Sequence, residues 1–118
     1  MKAAGWVLLA AALFAGTACN EETKQECTAL QDAMKPLEQG TPSSATVDSV
    51  AAKVAGLPLK NQTLSIYAKN YGATLTVLSN TLKLKEGPSA PDGTDDVVKK
   101  NLAKARTDAD DVKRFCAQ

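Results

Sequence analysis

Residues 98–116, VKKNLAKARTDADDVKRFC, carry the pattern on which the fold turns. Val98, Leu102, Ala105, Ala109, Val112 and Cys116 recur at spacings of four, three, four, three and four. A period near 3.6 residues marks a helix with one buried face, because a strand would alternate at every second residue. On the opposite face Asp95 and Lys99, Asp96 and Lys100, and Asp110 and Arg114 stand four apart with the acid first. That order supports an exposed helix surface. Thr94 is expected to cap this helix, with Asp95 and Asp96 in the first turn where the helix dipole favours them.

Working back from this stretch, Gly87-Pro88-Ser89-Ala90-Pro91-Asp92-Gly93 reads as a linker. Before it lies the longest segment, about residues 59 to 86. Leu64, Tyr67, Tyr71, Leu75, Leu78 and Leu82 form one stripe there, and Ile66, Ala73, Val77 and Leu84 a second. So broad an apolar face is expected of the most buried helix of a bundle, with a bend near Gly72. A shorter helix precedes it, carrying Val47, Val50, Ala51, Val54 and Leu57 and ending at Gly56 and Pro58. Thr41 as N-cap with Pro42 in the first turn is the expected start of that helix. The first segment, about residues 22 to 39, has Cys27, Leu30, Met34 and Leu37 at spacings of three, four and three. Pro36 should kink or shorten its last turn, and Gly40 offers a stop.

The N-terminus is of a different kind. Met1-Lys2 is followed by an uncharged, Ala- and Leu-rich stretch from Ala3 to Gly16, and then by polar Asn20-Glu21-Glu22. As a helix the stretch would span about 21 Å, too short for a bilayer core of about 30 Å. This is the anatomy of a secretory signal peptide, residues 1–18. Thr17, Ala18 and Cys19 follow it directly, and the segment resembles the lipobox of bacterial lipoproteins, in which small residues precede a cysteine that is acylated and left N-terminal. Gly16 stands where that family has an aliphatic residue. The resemblance covers residues 1–19 and implies lipidation of Cys19 and membrane attachment through the lipid. The alternative is ordinary signal-peptidase cleavage after Ala18, since Gly16 and Ala18 satisfy the small-x-small rule, which gives a soluble periplasmic protein. Asn20 after the lipid site leans towards the outer membrane, facing the periplasm.

With Cys19 used for lipid, Cys27 and Cys116 remain as one pair, and an exported chain offers them an oxidising compartment. The expected disulfide lies near the start of the first helix and at the end of the fourth. An even number of antiparallel helices returns both ends to one pole, whereas three would leave them some 30 Å apart. The expected architecture is therefore all-α: a single up-down-up-down four-helix bundle over residues 27–118, with residues 19–26 as a tether.

Composition limits the chemistry. The 118 residues contain no histidine, which removes the commonest general base and zinc ligand. Without Lys2 the chain is neutral, and no basic stripe marks a nucleic-acid footprint. The charges are uneven, with six acids against Lys24 and Lys35 from Cys19 to Asp48, and five lysines against Glu86 from Ser49 to Pro91. An acidic first helix beside a basic third accounts for this, and a charged face for a partner is the sharper reading. Asp92, Thr94 and Asp96 alternate like a calcium loop but lack its glycine and closing glutamate, so capping explains them better. Asp108, Asp110 and Asp111 sit within a turn of Lys104, Arg106 and Arg114, as a salt-bridged solvent face would. Tyr67 and Tyr71, one turn apart, are the candidates for a ligand clamp, weighed against core packing. Asn61-Gln62-Thr63 matches a glycosylation sequon that a bacterial precursor would leave unmodified.

No catalytic residue, metal site or cofactor is expected. The sequence points to a non-enzymatic cell-envelope lipoprotein that serves as a structural or interaction module, with another envelope protein as partner. The alternative is a periplasmic helical module that holds a small ligand or metal. An interaction protein should show a filled core and an exposed patch on the second or third helix. A ligand-binding protein should show an enclosed cavity.

Overall fold

The computed structural model describes residues 20–118, so the signal peptide and Cys19 lie outside the described residues. Four α-helices and no strand occur among them: α1 (Glu21–Met34), α2 (Ser44–Ala55), α3 (Gln62–Glu86) and α4 (Thr94–Cys116). A short 3₁₀ turn, Lys35–Leu37, follows α1. The described residues are all-helical, as the apolar periodicities indicated.

The helix starts are set by single side chains. Asn20 caps α1, its Oδ1 accepting the Thr23 N–H at 2.7 Å, and Glu21 and Glu22 fill the first turn. Residues 21–26 of the expected tether are thus the opening turns of α1, with Thr23 buried. Pro36 has no N–H and cannot extend the α-helical ladder, so the chain tightens into the 3₁₀ turn instead of running to residue 39. Leu37 still reaches the core from that turn.

The expected cap of α2 moves from Thr41 to Ser43, whose Oγ accepts the Thr46 N–H at 3.2 Å. Pro42 stays outside the helix. Asn61 caps α3 by accepting the Leu64 N–H at 2.9 Å, so its amide is engaged in folding. At α4 the cap position belongs to Gly93, not Thr94. The backbone there takes φ +87°, a left-handed conformation that glycine adopts without a Cβ clash. Thr94 becomes the first helical residue, and its hydroxyl donates backward to the Pro91 carbonyl at 2.6 Å.

Helix α1 packs on α2 and α4, and α3 packs on α2 and α4. Leu30, Met34, Val47, Leu64, Tyr71, Leu75, Leu78, Leu82 and Val112 are all essentially buried. Each such leucine contributes roughly 1.5–3 kcal/mol by leaving water. The seams read from α1 and α4 both face this core.

One expectation about α3 fails. Its first stripe is buried, apart from the half-buried Tyr67, but the second stripe is not. Ile66, Val77 and Leu84 are 58%, 52% and 56% exposed. At about 100° per residue these positions fall opposite the Leu64–Leu82 line, and α3 has neighbours only on its inner side.

Candidate functional site

Polar ties hold the helices in register and leave few charged groups for chemistry. Glu26 accepts the Lys60 N–H at 3.1 Å to both its oxygens and the Asn61 N–H at 3.1 Å, joining α1 to the α2–α3 connection. Glu86 accepts the N–H of Ser44 at 2.8 Å and its hydroxyl at 2.6 Å. These bonds hold the Glu86 carboxyl below the usual range. Asp48 is lowered likewise, first by the Ser79 hydroxyl and then by Lys83. Arg106 donates from Nε to the Leu37 carbonyl and from Nη2 to the Gly40 carbonyl, which pins the end of the 3₁₀ turn to α4.

The acidic residues of α4 are similarly occupied. Asp108 accepts the Thr74 hydroxyl at 2.6 Å and pairs with Lys104 at 3.3 Å. Asp111, not Asp110, pairs with Arg114, and Asp95 turns to Lys85 at 3.4 Å instead of Lys99. In the calcium-like alternation of Asp92, Thr94 and Asp96, the Thr94 hydroxyl is committed to the Pro91 carbonyl. Among the described residues no cluster of three or more His, Cys, Asp or Glu side chains is placed to hold a metal ion. No helix among them is long and apolar enough to cross a membrane.

The sulfurs of Cys27 and Cys116 stand 2.09 Å apart, at disulfide distance. Cys27 is 5% exposed and belongs to the core. Cys19, the expected lipid site, lies outside the described residues.

The two tyrosines have different surroundings. Tyr67 turns towards α4 and meets Phe115, with ring centroids 6.0 Å apart and planes tilted by 56°. Tyr71 is 1% exposed and lines a hollow of about 230 Å3 with Leu37, Glu38, Arg106, Asp110 and Lys113. No partner for its hydroxyl is present among the described residues. Burial pushes the phenol up to about 12, with the Glu38 and Asp108 carboxylates adding to the rise and Arg106 opposing it.

The outer side of α3 exposes large apolar side chains. Ile66, Val77 and Leu84 stand out from it, and Val97, 47% exposed on α4, lies beside Leu84. A groove runs along each flank. Between α2 and α3 it holds about 650 Å3 over small residues, among them Ala51, Ala55, Ala68 and Gly72, with Lys69 on its wall. A Cβ added at Gly72 would meet nothing within 4 Å. Between α3 and α4 a groove of about 340 Å3 is lined by Asn70, Val77, Lys104 and Asp108. Ala73 borders both grooves, so this line of α3 is a ridge between two furrows. The residues of the ridge are legible in the sequence as a second apolar stripe. That the stripe faces water is not, because periodicity does not say on which sides a helix has neighbours.

The described residues define an all-helical domain with a cysteine pair joining its terminal helices and an apolar ridge on its longest one. No protein-family model, curated protein or solved structure matches the chain.

Proposed function

We propose that this chain is a non-enzymatic, lipid-anchored protein of the bacterial cell envelope, whose helices run up-down-up-down and present the outer face of α3 to another protein. The observation that carries the interaction reading is the exposure of Ile66, Val77, Leu84 and Val97 on a domain whose other large aliphatic side chains are at least partly buried. Large aliphatic side chains gathered on one side, instead of scattered singly, mark a surface that another molecule covers.

The antiparallel reading draws on ties whose numbers rise on one helix as they fall on the next. Ser44 meets Glu86 and Asp48 meets Ser79. Thr74 meets Asp108 and Thr81 meets Asn101. Glu26 meets Lys60, and Cys27 meets Cys116 while Arg106 meets Leu37.

Support for the anchor comes from Thr17-Ala18-Cys19 and from the thiol count, since the Cys27–Cys116 pair leaves Cys19 over. With α1 starting at Glu21, a lipid on Cys19 would hold the pole of the bundle that carries both cysteines close to the bilayer. Attachment to the outer membrane, facing the periplasm, follows from Asn20 on the same reading.

Two experiments test this. In-cell crosslinking from α3 is expected to give a discrete adduct that Val77→Ser with Leu84→Ser abolishes. An identical adduct pattern from wild type and variant would count against an interaction at the ridge. Detergent partitioning of Cys19→Ser should move the protein to the aqueous phase, and unchanged membrane association would reject lipidation.

A second reading, a periplasmic module for a small ligand, is favoured by one observation: Tyr71, whose hydroxyl makes no hydrogen bond with the described residues and is not sealed off from solvent, borders a hollow rimmed by charged groups. Native mass spectrometry of the protein purified from the envelope should reveal a bound molecule on this reading and a bare mass on the first.

A further inference from the structure

We infer that the hollow beside Tyr71 is a binding site for a small free α-amino acid, an inference that rests on the second reading above and names the class of ligand. A partner on the outer face of α3 would not exclude it, since none of Ile66, Val77, Leu84 and Val97 lines the hollow.

The phenol is the first argument. Tyr71 is 1% exposed and lines the hollow, yet its hydroxyl is not sealed off from solvent and bonds to none of the described residues. The little of this side chain that meets solvent therefore includes a hydrogen-bonding group. A phenol that ionises at about 12 is protonated at neutral pH, so it has a proton to donate. Leu37, Ala105 and Ala109 supply the apolar wall around it.

The charged groups fix the class. Glu38 and Lys113, both on the rim, satisfy each other at 3.2 Å. Arg106 meets no carboxylate. Its Nε and Nη2 donate to the Leu37 and Gly40 carbonyls, which hold the guanidinium in place without neutralising it. Asp110 has no ion pair among the described residues either, because Arg114, its expected partner, turns to Asp111. An uncompensated cation and an uncompensated anion thus border one hollow, four positions apart on α4, or about 6 Å along the helix axis. A carboxylate set against Arg106 and the Tyr71 hydroxyl, with an ammonium set against Asp110, would satisfy all three groups. An α-amino acid carries both charges at short separation. A simple acid or a simple amine brings one and leaves the other group unanswered, as does a single side chain of a partner protein. Volume points the same way, since about 230 Å3 lies below the roughly 300–1,000 Å3 of sites for drug-sized ligands.

The test titrates the full chain, exported by a bacterial host and purified in mild detergent, with free alanine, propionate and ethylamine, and follows the amide shifts by NMR. Propionate is alanine without the ammonium, and ethylamine is alanine without the carboxylate. Alanine is expected to bind at least about tenfold more tightly than either, with the shifts concentrated at residues 37–38 and 105–113. Tyr71→Phe, which keeps the ring, and Asp110→Asn, on the exposed side of α4, should each weaken alanine binding about tenfold. Asp110→Asn should leave propionate binding unchanged or tighter. Propionate bound as tightly as alanine would overturn the amino-acid assignment and leave the ligand reading in place. Alanine binding unmoved by both substitutions would put the ligand elsewhere and overturn the site. No binding of any of the three, with a co-purified molecule in the native mass spectrum, would overturn this ligand class alone. No binding together with a bare mass would overturn the second reading as well.

Discussion

The Cα atoms of Cys27 and Cys116 stand 5.8 Å apart although 89 positions separate them in the chain. A bond there closes a loop over nearly the whole domain and restricts the unfolded chain more than any shorter link could. Reduction, or Cys27→Ser with Cys116→Ser, is expected to lower the unfolding free energy by roughly 2–5 kcal/mol. Urea titration monitored by circular dichroism measures it, and intact mass under non-reducing conditions should show two thiol hydrogens missing. An unchanged urea midpoint would mean that packing alone sets the stability.

Glu26 supplies a second link between the start of α1 and the rest of the fold, because its carboxylate satisfies the N–H groups of Lys60 and Asn61 just before α3 begins. Those donors lie on the N-cap residue Asn61 and the residue before it, outside the helical ladder, so no intrahelical carbonyl serves them. Glu26→Ala is expected to destabilise the domain by roughly 1–3 kcal/mol. Glu26→Gln, which keeps an acceptor without the charge, should cost about half as much. Hydrogen exchange should show the loss concentrated at residues 60–64. Uniform faster exchange without a local maximum would argue that Glu26 is not a local clamp.

How far the sequence foretold this arrangement differs between levels. The seams of α1 and α4 were legible, since Leu30, Met34, Val98 and Val112 sit at helical spacing and all reach the core. Capping residues were less so. Thr41 and Ser43 compete for one helix start and Gly93 and Thr94 for another, and backbone angles decide the winner, which composition does not report. Ties such as Thr74 to Asp108 were invisible, because they depend on how far one helix slides along another. The ridge was seen but wrongly assigned to the core, since a 3.6 period counts apolar faces without placing neighbours against them.

Acid should weaken the domain through two carboxylates. Glu86 and Asp48 have ordinary values of 4.5 and 3.8, and both are lowered in the fold by serine hydrogen bonds. As pH falls the unfolded chain therefore takes up protons first, so the stability they confer is complete above those values and is lost as pH drops through the lower folded ones. With no histidine present, stability should be flat from about pH 5 to 8. Urea midpoints across this range test it, and Ser44→Ala with Ser79→Ala should flatten the acid limb. An unchanged acid limb in that variant would place the titrating groups elsewhere.

Alkali should act through Tyr71 with the opposite dependence. Its phenol ionises at 10.0 ordinarily and at about 12 when buried in the fold. Above pH 10 the unfolded chain gives up this proton first, so unfolding is favoured increasingly as pH rises from 10 towards 12. Tyr71→Phe keeps the ring in the core and removes the titrating group. Near neutral pH the variant is expected to stay within about 1 kcal/mol of wild type, because the hydroxyl makes no hydrogen bond within the domain that would be lost. Between pH 10 and 12 it should become the more stable of the two, by a margin that grows with pH. Urea midpoints measured in parallel for both proteins decide the matter. Parallel curves would show that the hydroxyl is hydrated in the folded state well enough to ionise as it does in the open chain.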